Sequence, residues 1–403
     1  MNIVFLGPAF PPEMHDFTRG LAEAGARVFG VGDGPLHPKV APYLSAYLQV
    51  PSLTRSSDVH QRVLQWVQGH SIDDVVANWE PTMLTAALLR QSLGIGGMRV
   101  DEVQGFRDKP LMRDRVAAAG VRIPKTLRAT SIHQVLEASA EIGFPVVVKP
   151  VDGAGSADTF VVEDLKELKA VLPKLLHVDE VSVEEFIRGQ EFTYETICIN
   201  GKPVFEGMSR YEPNTLIARQ NEWISPIIHS LRNLNLPHLR QARLMGQKAL
   251  KALGMGTGFT HMEWFLTDKG EVIFGEIACR SPGANMVDLM NYAGDIDLYA
   301  AWGQAVVHGG MHPLNPKERS AAIIFKRATG SGRIRRITGL GTFIHKFRPH
   351  IARVDLLPIG APRRNWQQTF LSDGNIVVRH PDPEITLAMA REAATKIQLY
   401  AAR

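Results

Sequence analysis

Cysteine is nearly absent from this chain: Cys198 and Cys279 are the only two in 403 residues. Two thiols build no disulfide framework, and their spacing is not that of a zinc site, so a reducing, cytoplasmic setting is expected. Also lacking is an excess of either charge, with 45 basic against 41 acidic residues, and nothing global points to nucleic acid as a partner. No apolar run approaches membrane-spanning length, and MNIVFLGPAF carries no basic leader, so it reads as a buried strand rather than a signal peptide. There is no internal repeat or low-complexity tract. The first strand is followed by GPAFPP, which lacks the GxGxxG fingerprint, and no GxxxxGK[ST] loop occurs.

What is present is organised around HMEWFLTDKGEVIFGEIACRSPG, residues 261–283. HMEWFL and EVIFGEIA alternate as strands do, and TDKG between them has turn chemistry. Each strand carries one acid, Glu263 and Glu276, and an antiparallel pair can set them side by side on one face. Two close carboxylates call for a cation, and hard oxygen ligands suit Mg²⁺. Arg280 follows, a residue suited to holding phosphate or a developing negative charge. At this level the same pattern also fits a surface hairpin with solvated acids. Cys279, inside the motif, reads as a structural thiol because no base is assigned to it.

The rest of the chain supplies context. Strands at 2–6, 27–31 and 74–77 alternate with helices, which predicts a doubly wound parallel sheet over residues 1–104. Residues 105–125 read as one amphipathic helix with Lys109 at its start, where a lysine does not complement the dipole but can reach a bound anion. Lys149 ends the apolar strand of FPVVVKP. Gly153, Gly155 and Ser156 follow in a loop whose amides could approach phosphate oxygens. VSVEEFIRGQE crowds Glu184, Glu185 and Glu191 onto a short edge, a pattern that also serves to blunt aggregation. RYEPNTLIARQNEWISP offers Arg210, Glu222 and Trp223 as a lid or substrate loop. After the central motif, 287–308 reads as a helical stretch broken near Gly294. AAIIFKRATGSGRIRRI reads as a hairpin, and 383–400 as a helix. Residues 317–364 hold 12 lysines and arginines against two acids, a local net charge of +10. Such a patch could face an acidic substrate or a macromolecule, or offset acidic surface elsewhere.

Taken in order, these pieces resemble the ATP-grasp superfamily over about residues 105–310. Lys109 in RDKPLMRD and Lys149 in FPVVVKP stand where the family has its two phosphate lysines. GAGS resembles the glycine-rich loop over the phosphates. VEEFIRGQE resembles the adenine hinge and ribose acid. The resemblance implies that Glu184 faces the adenine amino group, that the Glu185 carbonyl and Ile187 amide hold its edge, and that Glu191 binds the ribose. MEWF and EIACR resemble the two metal strands, with Glu263 and Glu276 bridging Mg²⁺ (Mn²⁺ as a substitute) and the phosphates of ATP. Two departures stand out. Ala278 occupies a position where many members have an asparagine metal ligand, and Asp158 stands where a second glycine step is common.

The fold class implied is α/β: an N-terminal Rossmann-like domain (1–104), a two-lobed ATP-grasp core (105–310, divided at 180/181) and a small basic C-terminal α+β lobe (311–403). The HxE spacing of His261 and Glu263 resembles the amino-acid and dipeptide ligase branch, which places His261, Ser281 and Gly283 on the substrate side and Arg280 in catalysis. The activity implied is ATP-dependent joining of a small carboxylate to an amine through an acyl phosphate, with amino-acid-like substrates. A homodimer is compatible with it, and neither a membrane nor nucleic acid is expected as a partner. Two alternatives stay open: a carboxylase or carboxylate kinase on the same core, and a non-catalytic ATP-binding subunit.

Overall fold

The computed structural model describes residues 1–151, 159–316, 319–366, 369 and 371–403. The chain opens with a four-stranded, wholly parallel sheet. Asn2–Leu6 lies between Arg27–Gly32 and Asp74–Ala77, and Leu44–Gln49 forms the outer edge. Ile3, Val4, Phe5 and Leu6 are all fully buried, as expected for a strand covered on both faces.

This first domain is clamped to the rest by two helices, Met14–Glu23 and Leu298–His308. They cross on glycines. A Cβ on Gly20 would lie 2.2 Å from the Tyr299 carbonyl oxygen, and one on Gly303 would lie 2.1 Å from that of Gly20. Phe17 packs edge-on against Tyr299 and Trp302 at centroid distances of 4.8 and 5.1 Å. No side chain larger than glycine's allows this backbone approach.

Two antiparallel sheets follow. The smaller has the spatial order Thr126–Ala129, Val181–Glu185, Val146–Pro150, Phe160–Val162. The larger has eight strands and begins with the hairpin Gly258–Thr267 and Val272–Ala278. It continues through Gly189–Ile199, Lys202–Glu212 and Ile227–Ser230 into Ser320–Phe325, Gly374–His380 and Ile351–Leu356. The C-terminal strands are thus continuous with the core sheet, joined where Ile227–Ser230 pairs with Ser320–Phe325.

Three local expectations are corrected. The helix read over 105–125 is two helices, Val100–Arg107 and Lys109–Ala118. They break at Asp108, whose carboxylate accepts the Leu111 amide at 3.0 Å and caps the second helix. The hairpin read at 321–337 does not form. Ser320–Phe325 joins the large sheet, while Arg333–Thr338 pairs with Gln398–Ala402 in a separate three-stranded sheet. The terminal helix stops at Lys396, and the residues beyond Ile397 form that last strand. Chain-distant pairing decided both strand outcomes, and local periodicity does not report it. Among the described residues no helix is long and apolar enough to cross a membrane.

Candidate functional site

The acidic hairpin forms as its alternation predicts, and Glu263 is paired directly with Glu276. A bulge after Glu263 makes room for Gly275, whose absent Cβ would sit 2.7 Å from the Glu263 carbonyl oxygen. Glycine is therefore what lets the two acids meet in register. Lys109, at the first turn of its capped helix, places Nζ 2.8 Å from Glu276 Oε2. Burial works against its charge, but Glu276 outweighs burial and raises the amine above the ordinary lysine value.

Glu263 is held from behind. His261, on the same face, puts Nε2 3.7 Å from Glu263 Oε1 and Nδ1 2.9 Å from Glu195 Oε1. Glu195 is fully buried. Burial alone would lower the imidazole, yet its hydrogen bond to Glu195 and the nearby Glu263 carboxylate raise it to about 9. Burial would raise Glu263, but His261, Lys109 and Arg280 keep it below the usual carboxylate value. His261 is thus a charged prop between two acids, and Glu195 is a residue the sequence reading missed. Its signal was available: Glu191, Thr193 and Glu195 alternate along one strand and face one side.

Glu184 is the anchor of the opposite wall. Arg113 donates to both its oxygens at 2.7 and 2.9 Å, Lys149 Nζ donates at 2.8 Å and Ser182 Oγ at 2.9 Å. Burial pushes the carboxyl up, but Arg113 and Lys149 overcome it and hold it at about 2. Lys149 itself is pulled below the lysine value by burial, against the attraction of Glu184. Arg113 was also missed, although it lies one helical turn after Lys109 and so on the same face. Glu185 turns its side chain to Arg122 at 2.7 Å and to the Lys125 amide at 3.0 Å. Glu191 is buried and accepts the Thr215 amide at 2.6 Å and hydroxyl at 3.0 Å. Burial, then the nearby Glu263, pushes its carboxyl up to about 8.

A cavity of about 280 Å³ brings these residues together: Lys109, Lys149, Glu184, Glu185, Ile187, Glu191, Glu263 and Glu276 all line it. Leu216, Ile217 and Phe265 add apolar wall. A larger cavity, about 860 Å³, lies between residues 199–206 and 309–316 and holds none of these groups. The loop residues Gly153, Gly155 and Ser156, with Asp158, fall outside the described residues.

Arg280, Ser281 and Gly283 leave the hairpin toward the N-terminal domain. Arg280 Nε donates to Glu80 Oε2 at 2.8 Å, and a terminal nitrogen donates to the Ser281 carbonyl at 2.7 Å. Glu80 follows the strand Asp74–Ala77 and is further tied to Arg107. Its position beyond a parallel strand's carboxyl end, where such sheets bind ligands, was the available signal. Ser281 is buried, whereas Gly283 is exposed and its carbonyl accepts the Met286 amide. Ala278 pairs with His261 and offers no ligand atom. Cys279 is buried, and burial pushes its thiol up to about 12, which fits a structural role.

Among the described residues no group of three or more histidines, cysteines, aspartates or glutamates is placed to hold a metal ion. The paired carboxylates of Glu263 and Glu276, with a lysine already on one of them, are two hard donors that suit Mg²⁺ once phosphate oxygens join them.

Residues 114–290 match the family model of the ATP-grasp domain. The chain is 24% identical over 272 residues to the L-arginine-specific L-amino acid ligase of Bacillus subtilis, covering 66% of this chain and 64% of that relative. The chain thus spans less than two thirds of that relative's length. The L-amino acid ligase from Bacillus licheniformis superposes with a TM-score of 0.76 at 20% identity, over 100% of this chain and 99% of that one. N5-carboxyaminoimidazole ribonucleotide synthetase from Thermotoga maritima gives a TM-score of 0.71 at 17% identity, again over 100% and 99%. Both structural likenesses speak for the fold.

Proposed function

We propose that this chain, whose residues 114–290 match the ATP-grasp domain, is an ATP-dependent carboxylate–amine ligase acting on amino-acid-like substrates. The observation that carries this is a cavity in which two lysines, a paired set of acids and a buried acid converge, with Arg280 near enough to lower the Glu263 carboxyl. The amino acid ligase relative supports the substrate class.

The chemistry asks for two steps. A carboxylate oxygen attacks the γ-phosphorus of ATP, and ADP leaves. The amine nitrogen then attacks the acyl carbon, phosphate leaves, and the nitrogen gives up a proton. Lys109 and Lys149 would balance charge on the phosphates, with Glu184 and Arg113 fixing where Lys149 stands. Glu191 would accept from the ribose hydroxyls, the Glu185 carbonyl would accept from the adenine edge, and the Ile187 amide would donate to it. Glu184, already saturated by four donors, is better suited to holding Lys149 than to meeting adenine. Glu263 and Glu276 would hold Mg²⁺, which when bound neutralises the phosphate oxygens. Arg280 would hold the charged oxygen that develops at the reacting carbonyl, aimed by Glu80. Ser281 and Gly283 would shape the substrate side, with His261 steadying it from behind Glu263.

The test is ADP and phosphate release with Mg²⁺ and ATP against amino acids, singly and in pairs. Release that requires a particular pair, with a product mass equal to their sum less water, is the expected result. Release with bicarbonate or a lone acid would replace the ligase by a carboxylase or a carboxylate kinase. ATP binding without substrate-dependent release would favour a non-catalytic subunit.

A further inference from the structure

The basic run 317–364, with its net +10, could face an acidic partner or offset acidic surface elsewhere. The fold turns part of it inward, while Arg333, Arg335, Arg336, Lys346, Arg348 and Arg364 stay exposed. Lys326 and Arg327 are 1% and 5% exposed. Arg319 pairs with Asp295 and Arg353 with Asp288. A buried guanidinium must satisfy its donors, so where each arginine points is informative.

Arg327 points at the nucleotide cavity from behind. One terminal nitrogen donates to the carbonyls of Ala218 at 2.7 Å and Asn221 at 2.9 Å. Its Nε reaches Ser372 Oγ at 3.4 Å, and its guanidinium lies 4.7 Å from the centroid of Trp366. Those carbonyls end a six-residue helix, Thr215–Gln220. The other end of the same helix is Thr215, whose amide and hydroxyl hold Glu191. Just before it, Asn214 accepts the Glu191 amide at 3.0 Å and donates to the Gly189 carbonyl at 2.7 Å. Between the two ends, Leu216 and Ile217 line the cavity. Ile217 is 48% exposed, an apolar side chain left open on the cavity wall. A second arginine braces the segment further on: Arg363 pairs with Glu222 and donates to the Gly330 carbonyl.

A helix this short has no stability of its own, so its position is imposed by what grips its ends. We propose that the C-terminal lobe braces one wall of the nucleotide cavity from behind, with Arg327 and Arg363 as positioning residues that hold segment 214–222 against Glu191. This rests on the reading of that cavity as the ATP site. Neither arginine touches the reacting atoms. Their loss therefore weakens nucleotide binding and leaves the chemical step alone.

The test compares the full-length protein with Arg327→Ala, Arg327→Lys, Glu222→Ala and, as a control in the same lobe, Lys346→Ala, which removes the exposed pair with Glu392 and a contact with the Phe347 ring. MgATP affinity is measured by calorimetry, and KM for ATP and kcat by ADP release. Arg327→Ala is expected to weaken affinity and raise KM by about tenfold, with kcat at saturating ATP within about twofold of the parent. Arg327→Lys and Glu222→Ala should give smaller shifts of the same kind, and Lys346→Ala none. Unchanged affinity in a folded Arg327→Ala, or a fall in kcat at unchanged KM, overturns the proposal. If Arg327→Ala does not fold, Glu222→Ala decides, since Glu222 is itself half-exposed: unchanged affinity there overturns it equally. A parent protein that binds no MgATP removes the ATP reading itself, a separate and visible failure.

Discussion

Lys149 meets its carboxylate, Glu184, inside the core, whereas Arg280 meets Glu80 across the junction with the N-terminal domain, 200 residues away in sequence. On the first wall, Arg113, Lys149 and Ser182 saturate one buried acid, so the charges are fixed before any ligand arrives. The second wall depends on how two domains sit together, and that is set by the crossing of helices at Gly20 and Gly303. The difference separates tasks. Charges paired within the core, as proposed for the nucleotide side, can stay constant, while the proposed substrate side at the junction is reshaped by any change in the N-terminal unit.

That contrast can be broken at several points, taken here in order of effect on turnover. Arg280→Ala removes the group proposed to hold the developing charge. Losing one such donor costs about 2.7–4 kcal/mol of barrier, or roughly 10²–10³ in kcat. Steady-state ADP release should fall by that factor while calorimetry still finds MgATP bound; normal turnover would remove Arg280 from the mechanism. Arg113→Ala should act on the other wall. It leaves Glu184 buried with less compensation, a change typically worth about 3–5 kcal/mol of stability. A lower melting temperature and a raised KM for ATP are expected, and an unaltered KM would show that Glu184 does not need Arg113 to place Lys149. Gly303→Ala tests the junction. The added Cβ meets the Gly20 carbonyl, so about 1–3 kcal/mol of overpacking is expected, with the KM for the amino-acid substrates rising more than that for ATP. Equal effects on both would contradict the division between the walls.

The smallest effect on turnover is expected at Lys326, remote from both walls. Its amine donates to the Ala394 carbonyl at 2.7 Å, and burial holds it down from 10.5 to about 7. Between those values the unfolded chain binds a proton that the folded chain does not, so stability rises with pH through that window. Lys326→Met should flatten the rise of melting temperature between about pH 7 and 10 without altering kcat. A slope equal to the parent's would mean that Lys326 is not its source.

Much of the lining of the candidate cavity was legible in the sequence because its signals are local. Lys109 and Lys149 sit at element ends, and the Glu263–Glu276 pairing follows from two alternating strands and one turn. The parallel sheet of the first domain was legible for the same reason. Contacts made across long separations were not. Glu80 reaching Arg280, Glu195 behind His261 and Arg327 behind residue 218 depend on how strands order themselves within sheets. The misread hairpin at 321–337 failed on the same ground: both segments are strands, but each pairs with a partner far along the chain. The split at Asp108 was a local miss, since Asp-Lys-Pro is a helix start that a continuous apolar pattern obscured.

The proposed reaction requires that a carboxylate be phosphorylated before an amine attacks it. Once a productive substrate pair is in hand, the acid is supplied with heavy oxygen in its carboxylate, and the released phosphate is analysed by mass. An acyl phosphate requires that one labelled oxygen pass to the phosphate in each turnover. Phosphate free of label, with the amide product formed normally, would contradict the account.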